Sequence, residues 1–128
     1  MRSAARDVVF KCLFSQLFNP SDEGLFTVLA KDLNQEDKAF AKTLLDNANA
    51  NIENYSTIID SMADGYNYKR IYNADKCALL LGIAELNSCP DTPSPVVIDE
   101  AVKLAGLYST EKSTDFVNGI LARYVKEK

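Results

Sequence analysis

Residues 113–128 read STDFVNGILARYVKEK, and the pair Asn118-Gly119 inside them can be taken two ways. Asn-Gly between apolar residues is a strong short-range signal for a hairpin turn, and glycine within a helix costs about 1 kcal/mol relative to alanine. Yet Phe116, Ile120, Leu121, Tyr124 and Val125 recur at the spacing of one helix face, which a hairpin would not need. The helical reading decides the fold class, because no other stretch shows strand alternation. Under it the pair is either a local fault or a place where something needs the backbone to come close.

Working upstream, Ser113 or Thr114 is the expected cap of this last helix. The helix before it starts with Ser94 as cap and Pro95 at the first position, and runs to about Tyr108. SCPDTPSP, residues 88–95, is an irregular connection. Asn73 to about Leu86 is apolar on most sides through Cys77, Ala78, Leu79, Leu80, Leu81 and Ile83, so it predicts a buried helix. Residues 66–73 form a tyrosine-rich connection containing Lys69 and Arg70. Asn34 opens a long helix whose stripe runs from Phe40 to Met62, until Gly65 stops it. A short helix beginning at Ser21 precedes it, with Asp22 and Glu23 in its first turn. Ser3 caps a first helix that ends at Asn19-Pro20-Ser21. The chain therefore reads as all-α, one compact helical bundle spanning residues 1–128 as a single domain.

Composition narrows the function. With 47% apolar and 25% charged residues the chain is an ordinary globular protein. No apolar run has the length of a membrane span, and the N-terminus lacks a small-residue cleavage site, so a soluble, cytoplasmic protein is expected. Cys12, Cys77 and Cys89 are odd in number and widely spaced, which argues for buried fillers over a disulfide framework or a zinc site. There is no histidine, and no Gly-rich phosphate loop accompanies the remaining carboxylates and lysines. A binding protein without catalytic residues, metal or cofactor is the better expectation. The formal net charge of -4 speaks against nucleic acid if taken globally. Its distribution is more informative: Arg2, Arg6 and Lys11 face only Asp7 in residues 1–19, residues 20–64 hold nine acids against three lysines, and RYVKEK at the end holds three bases and one acid. A basic face forms only if the two ends meet in space.

The second half resembles the NusB family of bacterial transcription antitermination factors. The resemblance is carried by Val96-Val97-Ile98-Asp99-Glu100-Ala101-Val102-Lys103-Leu104-Ala105 followed by Asp115-Phe116-Val117-Asn118-Gly119-Ile120-Leu121, at a separation that makes the two segments together specific. Arg70-Ile71, Asp75-Lys76, Leu79-Leu80-Leu81 and Glu85-Leu86 are similar to the family's buried helix, and RDVVFKCLF, residues 6–14, to a divergent form of its N-terminal segment. The resemblance implies two packed helical subdomains, no enzymatic activity, a complex with ribosomal protein NusE, and binding of single-stranded boxA RNA within the RNA polymerase antitermination complex on ribosomal RNA operons. It also places Phe-Val-Asn-Gly at the start of the final helix, where Gly119 admits a neighbouring helix and Asn118 satisfies helix-end groups.

The site residues follow from the same resemblance. Arg2, Arg6, Lys11 and Lys112 are expected at phosphates, Phe116 at a base or in the core, and Asn118 at the RNA face. Phe14, Asp75 and Lys76 are expected to meet NusE, an acid such as Asp75 suiting a basic ribosomal protein. Departures from the family pattern are Leu80, Ala84, Gly106 and Asp99, and the basic N-terminal segment is thin. Two other classes stay open: a paralogue acting as a protein-interaction module with weak RNA binding, and the N-terminal RNA-binding domain of a ribosomal RNA cytosine methyltransferase, whose catalytic domain 128 residues leave no room for, so that an intact enzyme is not expected unless the chain is a fragment. A homodimer that covers RNA-binding residues is a further alternative state.

Overall fold

The computed structural model describes residues 2–20, 24–63, 65 and 68–128, and every regular element among them is helical. Seven α-helices follow in order: α1 (Arg2–Phe18), α2 (Leu25–Leu29), α3 (Gln35–Ala50), α4 (Ile52–Met62), then, after a 3-10 turn at Tyr68–Arg70, α5 (Asn73–Ser88), α6 (Ser94–Tyr108) and α7 (Glu111–Glu127). Helices α1–α4 form one subdomain and α5–α7 the other, and one cluster of buried side chains joins them.

Helix α5 is the axis of the protein. Its all-round apolar sequence is satisfied because α1, α3 and α4 pack on it from one subdomain and α6 and α7 from the other. Cys77, Ala78, Leu79, Ile83 and Ala84 are completely buried. Cross-contacts give the directions. Arg6 meets Glu85 and Ser3 meets Glu100, whereas Asp7 meets Tyr108 and Asp75 meets Ser113. Helices α1 and α6 thus run the same way, and α5 and α7 run against them.

The close approach expected at Gly119 occurs at Gly82 instead. A Cβ on Gly82 would lie 2.8 Å from Leu121 Cδ1 and 3.5 Å from Ala101 Cβ, so α7 and α6 close on α5 there. A Cβ on Gly119 would meet nothing within 4 Å, and Gly119 is exposed. The reason is register. Thr110, not Ser113 or Thr114, caps α7 by accepting from the Ser113 N–H at 3.2 Å, and Ser113 completes a capping box. Asn118 and Gly119 therefore sit in mid-helix, away from any helix end.

Other boundaries shift for local reasons. The single long helix expected from Asn34 is two, broken at Asn51, whose φ of -121° and ψ of 16° leave the helical range. Asn47 holds the break: its carbonyl accepts from Asn51 Nδ2 at 2.8 Å and its Oδ1 from Tyr55 OH at 2.6 Å. Asn87 Nδ2 then donates to Tyr55 OH, and Tyr124 OH to Asn87 Oδ1, tying α3 and α4 to α5 and α7. Ser94 is the first residue of α6 and Pro93 precedes it as cap. Ser3 lies inside α1 and donates to Glu100 Oε1 at 2.8 Å rather than capping. The start expected at Ser21, with Asp22 and Glu23, lies outside the described residues.

Candidate nucleic-acid interface

Where α6 turns into α7, a cleft of about 360 Å³ opens between that turn and the start of α5. Arg70 and Tyr72 come from the segment before α5, Asp75 from its first turn, and Lys112, Ser113 and Phe116 from the first turns of α7. The Thr110 cap sets this geometry. By fixing the first turn of α7 it holds Ser113 inward, 2% exposed, and so directs Lys112 to the rim.

Asp75 lies at the bottom of the cleft, 4% exposed. Its Oδ2 accepts from Ser113 Oγ at 3.0 Å, while no described group donates to its Oδ1. A buried carboxylate oxygen without a donor forfeits about 1–3 kcal/mol. Lys112 and Arg70 are exposed at the rim and make no ion pair among the described residues. Phe116 is half-buried, packed against the core by one part and lining the cleft by another. The arrangement combines an aromatic surface, two cations and an anionic acceptor. It offers stacking, charge and hydrogen bonding, and the Ser113 hydroxyl that donates to Asp75 is buried and belongs to the α7 capping box. No described group of three Cys, Asp or Glu side chains could hold a metal ion, and burial pushes the Cys77 thiol up to about 12.

The structure thus brings Lys112, Phe116 and Asp75 together, although the sequence had suggested different partners for them. Arg70, which sequence reasoning did not select, belongs with them. Its signal was the interleaving of basic and aromatic residues in YKRIY, residues 68–72. Asn118 is exposed two residues beyond Phe116, about 200° around α7 from it and outside the cleft lining.

Arg6 departs most from expectation. Its side chain is 5% exposed, and Nε and Nη2 donate to the two carboxylate oxygens of Glu85 at 2.7 and 2.6 Å, with Glu100 3.5 Å from Nη1. The guanidinium is committed inside the protein, because Glu85, 1% exposed, needs a cation. Arg2 lies beside it at the end of α5 remote from the cleft, stacked 4.4 Å over Phe40 and donating to Thr92 Oγ1 at 3.1 Å. Lys128 donates to the Leu86 carbonyl, so the basic chain ends do approach the same end of α5, eleven residues or about 16 Å from Asp75.

A second surface lies near the cleft on α1. Phe18, Phe14, Phe10 and Tyr108 form a row with ring centroids 5.4, 6.4 and 4.8 Å apart, and Phe14 and Phe18 are exposed. Tyr108 OH donates to Asp7, which also pairs with Lys11 at 2.9 Å. The Asp7 hydrogen bond and charge hold both the Lys11 ammonium and the Tyr108 phenol above their ordinary values. Lys76 is placed 4.7 Å over the Tyr68 ring, near the cleft but outside its lining.

Comparison with known proteins supplies the relationship. The family model described as the NusB family matches residues 1–126. The transcription antitermination protein NusB of Alkaliphilus oremlandii is 30% identical over 131 residues, covering 99% of this chain and 94% of the relative. Among solved structures, T. maritima NusB superposes with a TM-score of 0.93 at 30% identity, covering 99% of this chain and 92% of that one. A crystal structure of the antitermination factors NusB and NusE in complex with dsRNA gives 0.88 at 30% identity, covering 99% and 97%. A match over nearly the whole length in both sequence and backbone leaves one conclusion: this chain belongs to the NusB family.

Proposed function

We propose that the protein is a cytoplasmic transcription antitermination factor that binds unpaired RNA of the boxA type together with ribosomal protein NusE, supports transcription of ribosomal RNA, and catalyses no reaction. The observation that carries this reading is the cleft at the α6–α7 turn, where Phe116, Lys112 and Arg70 offer an aromatic surface and two cations that make no ion pair among the described residues. Those are the parts that hold an unstacked base and its phosphates. Asn118 adds a polar contact on a different, exposed face of α7, and Arg2 supplies a phosphate contact at the far end of α5. Arg6 serves the fold, and Lys11 acts through its pair with Asp7. The exposed row centred on Phe14, with Lys76 on the cleft side, is the face for NusE. Aromatic side chains and a polar rim suit a protein interface.

The test is binding of a labelled boxA-like RNA and a scrambled control, with and without NusE, at two salt concentrations. Two or three phosphate contacts on a single strand give a log-log salt slope of about -1.4 to -2 for this chain alone. Selective binding that appears or tightens on addition of NusE is the expected result. Weak, unselective binding that NusE leaves unchanged would favour the interaction module. The burial of Arg6 is the observation that keeps that alternative in view.

A further inference from the structure

Gly119 admits no neighbour and ends no helix, and RNA binding gives it no task. It does, however, follow Asn118, and no other asparagine in the chain is followed by glycine. Asn-Gly is the pair most open to reaction within the chain, because glycine puts no side chain in the way of its own backbone nitrogen. Both residues are exposed, and no hydrogen bond or ion pair among the described residues ties down the Asn118 amide. We propose that Asn118 is a site of spontaneous covalent modification, deamidation through a cyclic imide, and that the intact helix α7 holds the reaction off. The reaction is independent of RNA and of NusE.

The chemistry needs no co-reactant but water. The Gly119 nitrogen attacks the Asn118 side-chain carbonyl carbon, a C–N bond forms, and the amide nitrogen leaves as ammonia, taking the proton that the Gly119 nitrogen gives up. Water then opens the imide at one of its two carbonyls, leaving aspartate or isoaspartate at position 118. Ring closure requires Asn118 to turn out of the helical ψ of about -42° and the Gly119 N–H to be free. Within α7 that N–H is committed to the Asp115 carbonyl, four residues back. Exposure is therefore not enough, and α7 must open locally. The capping box at Thr110 and the buried Val117, Ile120 and Leu121 oppose opening, whereas Gly119, a helix-interior glycine with no neighbour at its Cβ position, favours it. Both products impair the helix that has opened. An aspartate at position 118 lies three residues from Asp115 and repels it, and isoaspartate adds a methylene to the backbone and interrupts the ladder of α7. A molecule that reacts does not regain the helix that carries Lys112 and Phe116.

The experiment incubates the full chain at mildly alkaline pH, folded and in urea, and follows modification at Asn118 by peptide mapping with mass spectrometry. Hydrogen exchange of the Gly119 amide is measured by NMR on the same folded protein. The folded chain should react more slowly than the unfolded one by about tenfold or more. The ratio of the two rates should match the exchange protection of the Gly119 amide within about threefold, since one opening frees the same N–H for both reactions. Gly119→Ala should slow the reaction in urea by about tenfold, which locates it at this pair. Equal rates in the folded and unfolded chain overturn the protection by α7. A folded rate well above what the exchange protection allows also overturns it, because the ring would then be closing in the intact helix. Modification in urea that falls on other asparagines and spares Asn118 overturns the site itself.

Discussion

Replacing Glu85 with alanine tests whether the structure has assigned Arg6 correctly. The wild-type pair is bidentate, at 2.7 and 2.6 Å, with the two side chains 5% and 1% exposed. Removing Glu85 leaves a guanidinium inside the protein whose nearest remaining carboxylate is Glu100, 3.5 Å away and 17% exposed. Breaking a buried pair from one side costs about 3–5 kcal/mol, because the surviving charge is stranded. Against a total stability of about 5–15 kcal/mol, the variant should stay folded but lose a large part of its margin. Replacing both partners, Arg6→Met with Glu85→Leu, removes the stranded charge and should lie within about 1–2 kcal/mol of the parent. Burial pulls the Arg6 pKa down, but the Glu85 hydrogen bonds and charge more than reverse this, so it ends above its ordinary value. A raised pKa stabilises the fold fully below the unfolded value and is lost only as pH rises through the folded one, so the arginine's contribution is flat through neutrality. Urea unfolding followed by circular dichroism on the parent, Glu85→Ala and the double variant measures the cost, and Arg6→Met and Glu85→Leu alone complete the cycle that gives the coupling. If Glu85→Ala unfolds within about 1 kcal/mol of the parent, Arg6 is not fixed as described and returns to the surface as an RNA contact.

Three further outcomes are expected. Gly119→Ala should stabilise the protein by about 0.4–1 kcal/mol in the same urea assay, since its Cβ meets nothing within 4 Å; destabilisation would place an unseen neighbour there. Gly82→Ala should lose stability despite its gain in helix propensity, a net of about 1–2 kcal/mol, because Leu121 is fully buried and must move; a stabilised variant would refute the close approach. In a spectroscopic titration compared with Tyr108→Phe, the Tyr108 phenol should ionise above its ordinary 10, and Asp7→Asn should bring it down. Stability from that contact should accordingly hold up to about pH 10 and fall as pH rises through the Tyr108 value, and a Tyr108 titration unmoved by Asp7→Asn would break the link.

The sequence made the helical class and the central helix legible because both depend on periodicity. Leu79 through Ile83 are apolar on successive faces, and only a helix enclosed by others accommodates that. The break at Asn51 was not legible, since the apolar stripe crosses it unchanged and the cause is a side-chain network reaching Tyr55, Asn87 and Tyr124. The cap of α7 lies three or four residues before the expected one because Thr110, Ser113 and Thr114 all carry capping hydroxyls, and only packing chooses among them. At the site, Lys112 and Phe116 are near neighbours in sequence and were found together. Asp75 and Arg70 joined them through folding. Arg6 was misplaced because charge alone does not tell whether an arginine serves a ligand or a buried glutamate 79 positions away.

The contacts of α1 have a consequence for how the chain is made. Its polar anchors reach forward to residues completed much later: Arg2 to Thr92, Ser3 to Glu100, and Asp7 to Tyr108, 101 positions on. At about 5–20 residues per second, Asp7 is synthesised roughly 5–20 s before its partner Tyr108. Until then Phe10 lacks Tyr108, and for most of the interval Arg6 lacks Glu85, so α1 has only α2 and α3 to pack on. Of the seven helices α1 is made before the others yet completes its polar contacts only when α6 is finished, and an early-binding chaperone would find its handle there.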